Sequence, residues 1–253
     1  MIDVVFIPGF LCDERLFSDQ IETLRAHPGV SSVMVADISD ATSVPAMAHA
    51  VLEQAPDSFV AIGLSLGAIV ATDVISMASE RVRAVALFDT NLAAPGERQL
   101  EQRRRWDDQV RRGQMATVVA NELVGPLTID PPAHRAVIEA MAARAGASTF
   151  LGQNHALLHR RDRRHDLRHL RVPVLVACGE ADALCPPDVH RDLVALIPGA
   201  ELAVVPAAGH LATIDQPAVT SSLLADWIHR VERATLQPPP QQTGGNHHEY
   251  TSA

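Results

Sequence analysis

The chain contains no lysine: all 21 of its basic residues are arginine. That absence excludes chemistry resting on a lysine amine, namely Schiff-base and pyridoxal-type catalysis, Walker-type phosphate loops and serine-lysine dyads. Cysteine is nearly as sparse. Cys12, Cys178 and Cys185 form an odd set with no Cys-x-x-Cys spacing, so no disulfide framework is encoded and a reduced, cytoplasmic protein is expected. No run of about eighteen apolar residues occurs, which excludes a membrane-spanning helix. The opening Met1-Ile2-Asp3-Val4-Val5-Phe6-Ile7-Pro8-Gly9 has no basic segment before its apolar run and an acid within it, so it reads as a strand rather than a signal peptide.

Aromatic residues make up only 4% of the chain, and the formal net charge is -9. The charge is unevenly divided. Residues 96–171 carry 14 arginines against 9 acids, a balance of +5, and the remainder is left at -14. A nucleic-acid surface would be broader in its basic charge and interleaved with aromatics, so no nucleic-acid partner is expected. A localised attraction for an anionic substrate or carrier fits the pattern better.

At 253 residues the chain can fill one large α/β domain or two small ones. Short apolar, β-branched runs recur at 4–7, 33–36, 59–62, 85–88, 172–177 and 202–205, with helical spacing between them. Continuous apolar runs imply strands covered on both faces, and intervening helices imply parallel crossovers. The expected class is α/β, a mostly parallel sheet flanked by helices. The alternation stops after Asp89 and resumes at Arg171. Between them lie a polar helical stretch at 98–112, the segment 115–123, a break at Pro131-Pro132, a run at 133–145 and another at 150–171. These predict a helical cap, 94–170, inserted in a core formed by 1–93 and 171–234. Residues 235–253, with Pro238-Pro239-Pro240 and His247-His248, have the composition of a disordered tail.

Gly63-Leu64-Ser65-Leu66-Gly67 stands between the run at 59–62 and a helical stretch beginning at Ala68. A serine on a sharp strand-to-helix turn, with glycines that let the backbone fold tightly, is what a nucleophile elbow requires. Such a serine needs a histidine within hydrogen-bond reach and a carboxylate to orient that histidine. In a parallel sheet these residues gather at the carboxyl ends of strands. Asp182 follows the run at 172–177, in Cys178-Gly179-Glu180-Ala181-Asp182, and His210 follows the run at 202–205, in Ala207-Ala208-Gly209-His210-Leu211.

With these pieces the chain resembles the α/β-hydrolase superfamily, over residues 2 to about 232. The matching elements are the pentapeptide around Ser65, the Gly179 to Asp182 loop that ends in Pro186, and Gly209-His210 followed by Asp215-Gln216-Pro217. Within the superfamily it looks most like capped small bacterial esterases and enol-lactone hydrolases. The resemblance implies Ser65, His210 and Asp182 as a catalytic triad, with an oxyanion hole formed by the N–H groups of Leu66 and of Phe10 in Pro8-Gly9-Phe10-Leu11. It also implies hydrolysis of a small ester or lactone through an acyl-enzyme, with no metal or organic cofactor. Two features depart from the pattern. Pro8 stands where histidine is common, which removes any brace that histidine makes, and the sequence opens on this strand, so a sheet of fewer than eight strands is expected.

Leu11, Trp106, Phe150 and Leu211 are candidate substrate-binding residues, although packing is the commoner role for the aromatics. Each other residue also has a plainer reading. Ser65 would then be a helix cap and His210 a surface residue. Asp89 also ends a strand, at 85–88, and stands as the alternative acid, with a cap at the start of the insert as its commoner role. Cys12 and Cys185 are read as small hydrophobes rather than nucleophiles. His155-x-x-x-His159 and His165-x-x-x-His169 would each share a helix face, but no third ligand accompanies them, so no metal is expected. The cluster Arg160-Arg161-Asp162-Arg163-Arg164 is most simply a solvated face. Its sharper reading is recognition of a substrate carboxylate or an acidic carrier protein. The alternative activities are hydrolysis of a carbon-carbon bond with the same triad, and a binding module without turnover.

Overall fold

Successive residues of a strand point to opposite faces, so a strand covered on both sides must be apolar throughout. In the computed structural model, which describes residues 1–236, β3 (Phe59–Leu64) and β5 (Val174–Gly179) meet that condition, every residue being buried. With β1 (Ile2–Ile7), β2 (Val30–Val35), β4 (Val82–Phe88) and β6 (Glu201–Val205) they form one six-stranded sheet in the order β2-β1-β3-β4-β5-β6. Every neighbouring pair is parallel. The two edge strands are the least covered: β2 has no buried residue and β6 only Val205.

The sheet is wound in both directions. From β1 the chain steps outward to β2, then returns past β1 to β3 and onward, so the winding reverses between β1 and β3. In an open parallel sheet that reversal leaves a crevice at the carboxyl ends of the two strands. The turn carrying Ser65 leaves β3 there, and the loop of Gly9 and Phe10 leaves β1.

Alternation divides the core. Val4, Phe6, Val60, Ile62, Ala86 and Phe88 face one side, where they meet Ile21 and Leu24 of α1 (Ser18–Arg25) and Leu224, Trp227, Ile228 and Val231 of α10 (Pro217–Leu236). Val5, Ile7, Ala61, Val85 and Leu87 face the other side, against α2 (Val44–Gln54), α3 (Leu66–Met77) and α8 (Pro187–Leu196). Helix α3 runs apolar on nearly all sides, with every residue from 66 to 75 buried.

Between β4 and β5 stand α4 (Glu97–Arg111), α5 (Met115–Val118), a π-helical turn (Val119–Leu123), α6 (Val124–Leu127) and α7 (Pro131–Leu158). Pro131 and Pro132 open α7 rather than break it. Their missing N–H groups fall in the first turn, where none is needed, and Asp130 caps that turn by accepting from Ala133 N at 3.1 Å. The runs at 133–145 and 150–171 stay distinct within α7, as two helical stretches meeting at a kink where Gly146, at φ 77° and ψ 173°, leaves the helical dihedrals, and the second stretch ends at Leu158. Beyond Leu158 only a 3-10 turn, Asp166–His169, remains helical. The return segment is pinned by Arg163, whose N–H bonds Leu92 O at 2.9 Å and whose guanidinium pairs with buried Asp73 of α3. A short helix, α9 (Ala212–Asp215), precedes α10. Residues 235 and 236 complete α10, and the rest of the expected tail, 237–253, lies outside the described residues. Among the described residues no helix is long and apolar enough to cross a membrane.

The elbow depends on glycine at a close backbone crossing. A Cβ on Gly67 would overlap Ile7 O and lie 2.6 Å from Ile7 C and 2.7 Å from Pro8 O, atoms of main chain that cannot rotate away. Gly67→Ala is therefore expected to destabilise the fold by about 3 kcal/mol. Gly125→Ala, where nothing lies within 4 Å, should stay within about 1 kcal/mol of the parent. Urea denaturation of the two variants checks this, and equal midpoints would contradict it.

Candidate active site

Four non-glycine residues have positive φ: Leu11 at 58°, Ser65 at 55°, Asp89 at 46° and Ala207 at 49°. Each lies just past the carboxyl end of a strand, after β1, β3, β4 and β6 respectively. Such conformations cost roughly 1–3 kcal/mol apiece and persist only where surrounding contacts over-determine them. The strain is thus collected at one end of the sheet.

Ser65 is held from both sides. Its N–H donates to Phe88 O at 2.9 Å, extending the β3-β4 pairing by one residue, and its carbonyl accepts from Thr90 Oγ1 at 3.1 Å and Ile69 N at 3.2 Å. With the main chain so fixed, Ser65 Oγ stands 2.9 Å from His210 Nε2. On the far side of that ring, His210 Nδ1 lies 2.9 Å from Asp182 Oδ2. The other carboxylate oxygen, Asp182 Oδ1, accepts from Leu184 N at 2.8 Å and Cys185 N at 2.9 Å. Asp182 and His210 are buried, while Ser65 is half-buried. A hydroxyl, an imidazole and an oriented carboxylate in line can move a proton from the hydroxyl while stabilising the imidazolium that forms.

Asp89 occupies a different position. Its Oδ1 accepts from Gly179 N at 2.8 Å and its Oδ2 from Ala212 N at 3.4 Å, so it links the ends of β4 and β5 to the start of α9. It caps nothing in the insert. Burial, followed by the nearby charge of Asp182, raises its pKa well above the carboxylate range. Beside it, His190 Nε2 accepts from Thr90 N at 2.9 Å, and burial lowers the pKa of that ring.

The histidine loop is tied to the insert. Leu211 N donates to Leu127 O at 2.8 Å. Asp215 Oδ2 accepts from Gly209 N at 2.7 Å and Ile129 N at 3.2 Å, while Oδ1 meets Thr128 Oγ1 and, at 3.0 Å, His134 Nδ1. The loop after β1 has a comparable tie: Leu11 N donates to Gln153 Oε1 of α7 at 2.8 Å. Gln153 thereby braces the loop that follows Pro8. Neither Gln153 nor His134 carries a local sequence signal, since each acts across many residues of chain. Asp215 stood in a recognised motif, but its hydrogen bonds were not foreseeable.

A cavity of about 970 Å³, its open mouth included, lies over Ser65 and His210. Core residues Gly9, Phe10 and Leu64 form its floor with Leu211, and Gln102, Arg103, Trp106, Leu127 and Arg160 reach into it from the insert. Trp106 and Leu211 therefore line the cavity. Phe150 and Leu11 do not: both are buried in the core, Phe150 with its ring edge-on to Phe10 at 5.1 Å. Among the described residues the N–H groups of Phe10 and Leu66 donate to no protein acceptor.

Burial pushes Cys12 and Cys178 up to about 12 and Cys185 well above the usual thiol range. Among the described residues, metal-ligating types converge at Asp182, Cys185 and His210, whose ligand atoms lie within 4.8 Å of one another. His155 and His159 stack on α7 with ring centroids 4.2 Å apart, each Nδ1 against a carbonyl. His165 and His169 share no α-helix, because His165 precedes the 3-10 turn.

Residues 4–223 match the model of the alpha/beta hydrolase family. A pimeloyl-[acyl-carrier protein] methyl ester esterase of Neisseria meningitidis serogroup C is 26% identical, over 90% of this chain and 94% of that protein. The malate-bound structure of a thermophilic esterase from Thermogutta terrifontis aligns with a TM-score of 0.80 and 25% identity, covering 92% of this chain and 91% of that one. The enol-lactonase from Burkholderia xenovorans LB400 aligns with a TM-score of 0.80 at 18% identity, over 90% of this chain and 91% of that one, a likeness of fold.

Asp89 generates a pH test. A carboxyl whose folded pKa is raised holds its proton more tightly when folded, so its stabilising contribution is full below the unfolded value and is lost as pH rises through the folded value. Asp89→Asn has no such proton. Denaturant unfolding is expected to favour the parent most near pH 4 and to shift progressively toward the variant as pH rises to about 8. Parallel stability profiles across that range would contradict it.

Proposed function

We propose that this chain, which belongs to the alpha/beta hydrolase family, cleaves a small carboxylic ester or lactone through an acyl-enzyme on Ser65. The observation that carries the reading is the contact line from Ser65 Oγ to His210 Nε2 to Asp182, both steps at 2.9 Å, on a strained turn over a cavity. In this reading His210 donates Nδ1–H to Asp182, which leaves Nε2 unprotonated and able to take the Ser65 proton as Oγ attacks the carbonyl. The tetrahedral oxyanion is received by the N–H groups of Phe10 and Leu66. His210 then delivers the proton to the leaving oxygen and activates the water that releases the acyl group. Asp182 is the orienting acid in preference to Asp89, whose oxygens are turned to Gly179 and Ala212 instead.

The residues of the insert act in this reading as a cap that shapes the acyl pocket. A carrier-borne ester is a second reading. It is supported by the name of the Neisseria relative and by the exposed arginines of α4, Arg98, Arg104 and Arg105 among them.

Ser65→Ala is expected to lower kcat on short p-nitrophenyl esters by about 10⁴-fold or more, with Asp182→Asn losing about 10⁴-fold while remaining folded. A fluorophosphonate should label Ser65 in the parent. Full activity in Ser65→Ala, or labelling at another residue, would overturn the assignment, and product analysis over lactones, esters and diketones separates ester from carbon-carbon cleavage.

A further inference from the structure

The chain is acidic as a whole, with a net charge of -9, but no aspartate or glutamate among the described residues lines the cavity over Ser65. Among the described residues its charged lining consists of Arg103 of α4 and Arg160, two residues past the end of α7, beside the ring of His210. Neither guanidinium has a carboxylate partner among the described residues. Arg163, by contrast, is paired with Asp73 and Asp166, and Arg164 with Asp162.

Both guanidinium groups are held in place by neutral atoms. Arg103 donates to Asn154 Oδ1 at 3.0 Å, and its guanidinium carbon lies 5.3 Å from the centroid of the Phe10 ring and 5.6 Å from that of Trp106. Trp106 is fixed in turn by donating Nε1–H to Glu122 at 2.6 Å. Arg160 donates through Nε to Ala93 O at 3.0 Å and through one terminal nitrogen to Leu157 O at 3.4 Å. Donors remain on each. Burial first, and the charge of Arg160 second, lowers the pKa of Arg103, while burial lowers that of Arg160. Two like charges, partly desolvated and without a counter-ion, are unfavourable in an empty cavity and favourable once an anion enters. The planar forks suit a carboxylate, which can accept from two N–H groups at once.

We propose that Arg103 and Arg160 form a carboxylate subsite, so that the ester or lactone cleaved at Ser65 carries a free carboxylate. This rests on the acyl-enzyme reading for its catalytic half only. The apolar wall of Leu123, Leu127 and Leu157 accommodates the hydrocarbon between the two ends of such a substrate. The relevant class is the half-ester of a dicarboxylic acid or a lactone bearing an acid group. A diester would lack the anion that the arginines need.

The test compares monomethyl esters of dicarboxylic acids, succinate through suberate, with methyl esters of monocarboxylic acids of the same carbon count. At the best chain length the parent should favour the half-ester by about 10- to 100-fold in kcat/KM, the range of a charge-assisted pair of hydrogen bonds. Arg103→Gln and Arg160→Gln should each reduce that preference by about tenfold, chiefly through KM. Arg105→Gln, which removes an exposed charge from the same helix, should keep it within about twofold. Melting curves establish that each variant is folded. Calorimetric titration with glutarate reads the subsite without turnover, and binding by the parent that both substitutions weaken is the supporting result. Equal turnover of charged and neutral esters, or a preference that survives both substitutions, overturns the subsite and leaves the hydrolase intact. Glutarate binding without turnover of any ester or labelling of Ser65 overturns the acyl-enzyme reading and leaves the subsite standing.

Discussion

The close crossing of the Ser65 turn over the end of β1 is the constraint on which the rest of the site depends. Gly67 lies so near Ile7 and Pro8 that no side chain fits there, and a Cβ on Gly63 would likewise overlap Gly67 itself. This proximity brings Leu66 N–H, at the start of α3, beside the loop that carries Phe10. It also forces Ser65 to φ 55°, which aims its side chain away from the sheet. The strain is sustained by hydrogen bonds on both of its peptide groups, to Phe88, Thr90 and Ile69. A turn relaxed to ordinary dihedrals would move the hydroxyl and the neighbouring N–H together.

The same end of the sheet is locked laterally by buried polar groups. Asp89 ties the end of β4 to Gly179 of β5 and Ala212 of α9, and Asp182 uses one oxygen on two backbone N–H groups so that the other is free for His210. The helical insert is bonded to this frame at two separate places, Gln153 to the β1 loop and Leu127 with Thr128 to the histidine loop. Its apolar residues, Trp106, Ile138, Met141 and Phe150, belong to the same cluster as Phe6 and Leu64. The insert is therefore packed as part of the core as well as forming the roof of the cavity.

How much of this is legible in the chain follows from how local each signal is. The six strands announce themselves because burial on both faces demands apolar runs, while their first residues are less legible: β1, β2 and β4 begin at Ile2, Val30 and Val82, ahead of the apolar runs, and β5 begins past Pro173. Ser65, Asp182 and His210 stand out because each follows a strand within a few residues, so that strand order alone gathers them. The separation of the runs at 133–145 and 150–171 is local in the same sense, since a single residue outside the helical dihedrals, Gly146, divides the two helical stretches. Asp89 looked like a cap because it ends a strand, yet its partners lie 90 and 123 residues away. Gln153 and His134 were invisible for the same reason. Leu11 and Phe150 had the chemistry of pocket residues, but lining depends on side-chain direction, and both point into the core.

The absence of lysine, first met as an exclusion, bears on the cavity as well. An ammonium is compact and strongly hydrated, and its flexible stem would not be held by flat neighbours. A guanidinium is planar and weakly hydrated, so it can rest against Phe10 and Trp106 and still direct hydrogen bonds along its edge. The half-buried position of Arg103 is tolerable for arginine on those grounds and would be less so for lysine, which readily loses its proton when desolvated. The ring of Phe10 that meets this guanidinium is met in turn by Phe150, edge-on at 5.1 Å. On the proposed acyl-enzyme, in which Phe10 N–H receives the oxyanion, and the proposed subsite, a carboxylate drawn to Arg103 would bear on that same residue. Recognition at the remote end of a substrate and geometry at its reacting end would then be coupled through one side chain, the arrangement by which binding energy away from the reacting bond can be used to position it.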